Sequence, residues 1–406
     1  MNITLHPSFQ ALPEAREAEA IVRSCVHCGL CTATCPTYRE VGDERDGPRG
    51  RIYLLKQFLE HGEASDKTVL HLDRCLTCLS CETHCPSMVD YGRLVDIGRS
   101  MLEQHVRRPL RERLVRWGLR RLLPYERRFT PLLRLGQLLK PVLPGPVKAK
   151  VPTRQSAGSI PKEQHERRML IAVACAQPGA RPNTNAAAAR VLNRLGISLE
   201  KPCGAGCCGA LSYHLGAHEE GLQFMRRNVD AWWPQIDAGV EAIVVTASGC
   251  GAMIKEYGSI LNEDPNYAEK AHRVSALTKD LSEILIDEEL ADLNIRQDDL
   301  RTAVHCPCTL YHGQKLPTII DDILTKMGIC LVATKDKHMC CGSAGTYSVL
   351  QPKMSQALLD NKLKALSAEN PDRIVTANIG CQLHLATKAK VPVQHWIEVL
   401  DLLLPS

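Results

Sequence analysis

At 406 residues the chain has room for two to four hydrophobic cores, since a single core seldom grows past a few hundred residues. Nineteen cysteines follow an opening, MNITLHPSFQ, that lacks a charged start, an apolar stretch and a small-residue cleavage site; this argues against secretion and a disulfide framework and for reduced thiols in a cytoplasm. The net charge is only +5 and no apolar run reaches eighteen residues, so a spanning helix is not expected and any membrane contact is peripheral.

Two cysteine blocks occupy the first hundred residues. The first is Cys25-x2-Cys28-x2-Cys31-x3-Cys35-Pro36 and the second is Cys75-x2-Cys78-x2-Cys81-x3-Cys85-Pro86. Both match the bacterial ferredoxin run for a [4Fe–4S] cluster, in which three closely spaced thiolates hold one cluster and the fourth reaches the other. The expected sets are therefore Cys25, Cys28, Cys31 and Cys85 for one cluster, and Cys75, Cys78, Cys81 and Cys35 for the other. Structural zinc is the alternative, but it uses separated Cys-x2-Cys knuckles and gives no role to a third close cysteine or the proline. His27 and His84 read as solvent-facing neighbours that tune potential. Between the blocks, GPRGRIYLLKQFLEHGE predicts a helix, with Ile52, Leu55 and Leu59 at helical spacing.

A basic helix is predicted from Ser100 to about Arg121, with Val115, Leu119 and Leu122 on one stripe. Prolines at 124, 131, 141, 144 and 146 then predict a linker over 122–168. Residues 106–150 carry thirteen Arg and Lys against Glu112 and Glu126, a local charge of +11 that leaves −6 for the rest. Without interleaved aromatics or a nucleic-acid fold signature, this stretch suits an anionic leaflet or an acidic partner subunit better than nucleic acid; a solvated charged face is the plainer alternative.

Beyond the linker one design occurs twice. MLIAVACAQPGA, AGCCGALSYHLG and AIVVTASGCGAMIKEYG are followed by RTAVHCPCTLYHGQK, KHMCCGSAGTYSVL and RIVTANIGCQLHLAT in the same order. Short β-branched runs alternate with helical stretches, which predicts two related α/β domains with mostly parallel sheets and ligands gathered at the carboxyl ends of strands. The candidate redox or metal groups are Cys175, Cys207, Cys208 and Cys250 in the first copy, with Cys203 spare. In the second they are Cys306, Cys340, Cys341 and Cys381, with Cys308 spare. Buried small hydrophobes are the alternative reading of these cysteines, and Cys330 reads as core. Gly204, Gly206 and Gly209 fit G-x-G-x-x-G, but the second copy keeps only the Cys-Cys-Gly, so no dinucleotide site is expected here. The expected organisation is a helical ferredoxin-like domain over 1–100, a basic helix and proline-rich linker over 101–168, and cysteine-rich α/β domains over 169–298 and 299–406.

On the ferredoxin pair, the doubled Cys-Cys-Gly, and stretches such as SCVHCGLCTATCPTY, GDERDGPRGRIYLLKQ, DRCLTCLSCETHCPS and CCGSAGTYS, the sequence resembles a family of iron–sulfur subunits. These belong to glycolate oxidase, anaerobic glycerol-3-phosphate dehydrogenase, lactate-utilisation and heterodisulfide reductase complexes, and the glycolate oxidase branch matches best. The resemblance implies two [4Fe–4S] clusters on the eight N-terminal cysteines and FAD held only by partner subunits that oxidise glycolate to glyoxylate and take D-lactate as a further substrate. It also implies electron delivery to a quinone or other membrane acceptor from a cytoplasmic position at the inner membrane. A related lactate or glycerol-3-phosphate dehydrogenase, or a self-sufficient disulfide or quinone reductase using the Cys-Cys-Gly repeats, are the alternatives. One departure is visible: heterodisulfide reductase relatives end each repeat with Cys-x2-Cys, where this chain has Met253 and His384.

Overall fold

The computed structural model describes residues 1–405. Its N-terminal part is helical: α1 (Pro13–Ser24), α2 (Pro36–Val41), α3 (Pro48–His61), α4 (Asp66–Asp73), α5 (Ser80–Thr83) and α6 (Tyr91–His105). Three of these start on a proline at their first position, where the missing N–H costs no helical hydrogen bond. The predicted helix between the cysteine blocks is α3, and its Ile52, Leu55, Phe58 and Leu59 are buried against α1 and α6.

The single basic helix expected over 100–121 is instead two elements. α6 runs to His105, the chain extends through Val106–Pro109, and α7 (Leu110–Leu122) follows. Pro109 explains the break, because its ring disfavours helical geometry in the residue before it. The linker over 122–168 is also more ordered than its prolines predicted. Helix α8 (Glu126–Leu138) carries Pro131 in its interior and buries none of its residues. Contacts hold it: Tyr125, its cap, packs at a tilt against Phe224 with ring centroids 5.6 Å apart, and its Phe129 and Thr130 lie against Gly179.

The two cysteine-rich copies fold as the strand–helix pattern predicted. In the first, β1 (Arg167–Ala172), β2 (Ile197–Glu200), β3 (Ile243–Val245) and β4 (Thr278–Asp280) form a parallel sheet in the order β2-β1-β3-β4. In the second, β5 (Thr302–His305), β6 (Arg373–Thr376) and β7 (Val393–His395) are parallel in sequence order. A lone parallel bridge between Thr302 and Leu331 stands where the counterpart of β2 would lie. That position also explains why Cys330, expected in the core, is exposed: its carbonyl accepts from Thr302 N at 2.8 Å on the outer edge of this sheet.

The copies are not independent bodies. Met169, Val191 and Leu285 of the first share one core with Val304, Ile323, Trp396 and Leu400 of the second. Hydrogen bonds run along the same seam, from Thr184 to Glu398 at 2.6 Å and from the His395 ring to the Thr246 carbonyl at 2.8 Å. The helical part lies against both copies. Asp96 meets His214 at 3.0 Å in the first, and the Thr83 hydroxyl meets His312 Nδ1 at 2.9 Å in the second.

Candidate metal centres

The loops carrying the cysteine blocks have one shape, set by residues in the left-handed region. In the first block His27 and Gly29 have φ of 61° and 86°; in the second Thr77 and Leu79 have 51° and 61°. Three of these four are not glycine, so the turns carry a conformational cost that a bound group must offset. Each turn aims a backbone N–H back at its first thiol, His27 N to Cys25 Sγ and Thr77 N to Cys75 Sγ, both at 3.4 Å. Such N–H groups stabilise thiolate charge in a cluster.

Two cavities open between these loops. One is lined by Cys25, Cys28, Cys31 and Cys85, the other by Cys35, Cys75 and Cys78, and Cys81 forms part of the wall of both. No carboxylate lines either cavity. A set of four or five thiols with no carboxylate suits an iron–sulfur cluster and not a hard cation, which takes oxygen ligands. Burial pushes the Cys31 thiol up to about 11, and the Cys78 and Cys81 thiols well above the usual range. Thiolates in so dry a place need the positive charge that an iron core supplies. His27 is half-buried and faces the Met1 sulfur and the Tyr53 ring, while His84 is exposed and bonds the Ser80 carbonyl.

The second cavity is backed by charge that the sequence reading passed over. Arg51 is buried, with Nε donating to the His71 carbonyl at 2.7 Å and Nη2 to Thr37 Oγ1 at 3.0 Å. Its Nη1 reaches Cys35 Sγ at 4.0 Å. Asp46, wholly buried, is shared among Arg51 at 3.6 Å, Arg74 at 2.9 Å and His71 at 2.9 Å. Tyr91 donates its hydroxyl to Cys75 Sγ at 3.7 Å.

In the first cysteine-rich copy the predicted group is together. The thiols of Cys175 and Cys207 face each other, and that of Cys208 faces both Cys207 and Cys250, while Cys203 is exposed. The second copy differs from expectation at one member. Cys308 Sγ lies 3.8 Å from Cys340 Sγ, whereas Cys306 turns into the shared core, its thiol toward the carbonyls of Pro307 and Leu316. Strand register gives the reason. Cys175 stands three residues after the end of β1, and so does Cys308 after β5; Cys306 stands at the first position past β5, where it packs into the shared core before the chain turns. Cys341 completes the chain of thiols, lying beside Cys340 in sequence and facing Cys381. Met253 is core, and His384 is turned to the Ser355 hydroxyl.

Both copies turn at the glycine after the cysteine pair, Gly209 at φ 87° and Gly342 at φ 85°; an added Cβ would come within 2.8 Å of the Gly221 carbonyl or 2.7 Å of the Ser355 carbonyl. Only glycine fits this conformation and this close approach. The second copy has two further groups at its thiols. His305, at the position of Ala172, lies with Cys341 and Cys381 so that their ligand atoms are within 4.8 Å of one another, and neither of its ring nitrogens has a hydrogen-bond partner. Burial holds its pKa well below the ordinary value, so the ring is neutral and free to ligate. Buried Lys362 adds a cation-forming group facing Cys340, Cys341 and Cys381. This second group also touches the N-terminal part, since Cys78 and Cys308 pack on a small core of Leu76, Cys340, Tyr347 and Leu358.

Among the described residues no helix is long and apolar enough to cross a membrane. Comparison with known proteins agrees with the geometry. The family described as "4Fe-4S dicluster domain" matches residues 24–90, and that described as "Cysteine-rich domain" matches 169–255 and 302–386. The chain therefore carries iron–sulfur clusters and works in electron transfer. A "Glycolate oxidase iron-sulfur subunit" of Escherichia coli (strain K12) is 54% identical, over 99% of this chain and 98% of that protein. A "Probable glycolate oxidase iron-sulfur subunit" of Bacillus subtilis (strain 168) is 30% identical, over 91% of this chain and 89% of that one. Among solved structures, a hypothetical protein from Helicobacter pylori shares the fold with a TM-score of 0.53 at 10% identity, covering 88% of this chain and 73% of that one. With two cysteine-lined cavities in a helical unit, two parallel-sheet cysteine-rich copies behind it and near-full-length identity of this order, the chain belongs to the family of glycolate oxidase iron–sulfur subunits.

Proposed function

We propose that this chain is the electron-transfer subunit of a glycolate-oxidising complex. FAD-containing partner subunits oxidise glycolate to glyoxylate, and D-lactate as a second substrate to its own 2-oxo acid, and this chain carries the electrons singly toward a quinone at the inner membrane. A flavin takes electrons in pairs and releases them one at a time, which is what two one-electron centres require of their donor. Cys25, Cys28, Cys31 and Cys85 hold one cluster, and Cys75, Cys78, Cys81 and Cys35 the other. The observation that carries this reading is the exchange of fourth cysteines: Cys85 sits in the cavity of the first block and Cys35 in that of the second. The helical unit is ferredoxin-like in this sense. Its boundary belongs after His105, where α6 ends, and the later units divide near 168 and 298.

The thiol groups of the two cysteine-rich copies are further metal or redox sites, Cys175, Cys207, Cys208 and Cys250 in one and Cys308, Cys340, Cys341 and Cys381 in the other. No residue of the chain is assigned to bind a hydroxy acid, so the isolated chain is expected to be inactive toward glycolate.

The test is anaerobic purification with whatever accompanies the chain, followed by dye reduction driven by glycolate, D-lactate or glycerol 3-phosphate. Glycolate-dependent reduction by a flavin-containing complex, lost in Cys28→Ala or Cys78→Ala when the dye accepts downstream of the clusters, supports the reading. Disulfide or quinone reduction by the chain alone, with no flavoprotein present, would overturn it in favour of a reductase centred on the Cys-Cys-Gly repeats.

A further inference from the structure

We infer that Arg51 makes the second cysteine cavity the stronger electron sink of the two, so that electrons run one way through the chain, from the first block to the second and on to the second cysteine-rich copy. This rests on the cluster assignment proposed above. An added electron makes a cluster more negative, so a fixed cation beside it stabilises the reduced form more than the oxidised form and raises its potential.

Arg51 is such a cation. It is 1% exposed, is pinned by two hydrogen bonds, and points Nη1 at Cys35 Sγ from 4.0 Å. Its counter-ion does not cancel it, because Asp46 is one carboxylate set between two guanidinium groups, Arg51 and Arg74. The surplus of one positive charge sits in a dry region, where a charge acts through a lower effective dielectric than at the surface. The Tyr91 hydroxyl adds a donor to Cys75 on the same cavity.

The first cavity has no equivalent. Its guanidinium is Arg49, whose side chain is 33% exposed and whose Nε is held by Glu44 at 2.6 Å. Cys28 at this cavity is exposed, and water there also favours the reduced form, but at one corner of the site only. A desolvated charge outweighs one solvated corner.

The gradient has a structural direction. The first cavity lies at the surface beside exposed Val26, Leu30 and Met88, an apolar rim where a donor can approach. The second is covered, and its Cys78 packs with Cys308 and Cys340. In each transfer one electron leaves the first site as it is gained by the second, with no bond or proton exchanged.

The test is an EPR-monitored redox titration of the full chain, purified anaerobically, with iron content and melting temperature recorded alongside. Two cluster signals of different potential are expected. Arg51→Gln should lower the higher potential by about 59 mV, a tenfold change in the one-electron equilibrium, and leave the lower one in place. Arg51→Lys, which keeps the charge while losing the fork of hydrogen bonds, should hold the potential near that of the parent. Asp46→Asn, which removes the counter-charge, should raise it. If Arg51→Gln loses iron, the last two variants decide.

An unmoved higher potential in Asp46→Asn, or a shift confined to the lower signal, would overturn the inference while leaving the two-cluster assignment standing. A chain with no cubane signal and no visible absorbance would remove the assignment itself.

Discussion

Cys306 and Cys308 differ by two positions and have different surroundings, one facing the shared apolar core and the other facing Cys340. Cys306→Ala removes one buried sulfur, so a stability loss on the order of 1 kcal/mol with unchanged metal content is expected by anaerobic denaturation and metal analysis. Cys308→Ala should lower metal content at little cost in folding, and equal metal in both variants would mean that the second thiol group binds none. The N-terminal cysteine blocks were readable in sequence because their spacing is local, and the fold brings the two blocks together around two cavities. Cys308 was readable too, through its distance from the end of a strand, but that signal needs the strand boundary first. Arg51, Asp46, His71 and Arg74 were not readable. All of their side-chain contacts but the Arg51–Asp46 pair join residues 14 to 28 positions apart, and in sequence they look like ordinary solvated charges.

At the level of elements, the helix between the cysteine blocks was legible from its spacing, whereas the turn that it crosses was not. Residues Glu44–Asp46 form a single 3-10 turn that delivers Asp46 to the buried charge network, and Gly50 on α3 passes directly beneath it. A Cβ at Gly50 would lie 2.1 Å from the Glu44 carbonyl oxygen, a backbone atom that cannot rotate away. Gly50→Ala must therefore push the turn off the helix, at a cost of about 1–3 kcal/mol. The displacement should be seen as faster hydrogen exchange over 43–51 and a lower melting temperature. At Gly98 the Cβ would meet Leu55 Cδ2 at 2.3 Å, but there a side-chain methyl can move, so Gly98→Ala should be the milder of the two. Equal losses would show that the turn is no more rigid than a buried leucine. The proline-rich stretch was misread because tertiary contacts, Tyr125 on Phe224 and Thr130 on Gly179, hold a helix that local propensity rejects.

In the whole molecule, the doubling of one design in sequence suggested two separate domains, and their fusion through a common core could not be seen because each copy looks complete alone. Trp396 is fully buried in that core, on the helix after the last strand of the second copy. Trp396→Ala should cost about 3–5 kcal/mol, and the loss should appear as faster hydrogen exchange in β1 of the first copy as well as β5 of the second; exchange changes limited to the second copy would argue for independent folding. The join between the helical unit and the first copy depends on pH instead. His214 faces Asp96 at 3.0 Å, with Arg99, Glu256 and His218 around the pair. Burial acts to lower the His214 pKa, but the Asp96 charge and hydrogen bond outweigh it and leave the value above 6.5. A histidine whose pKa is raised on folding stabilises fully below its unfolded value, and that contribution disappears as pH climbs through the folded one. Docking of α6 on the first copy should thus be tightest below pH 6.5 and loosen on the alkaline side, read as protease sensitivity or hydrogen exchange at residues 206–216. Asp96→Asn removes the charge that raises the histidine and should flatten this profile; a profile of the same steepness in the variant would place the pH dependence elsewhere.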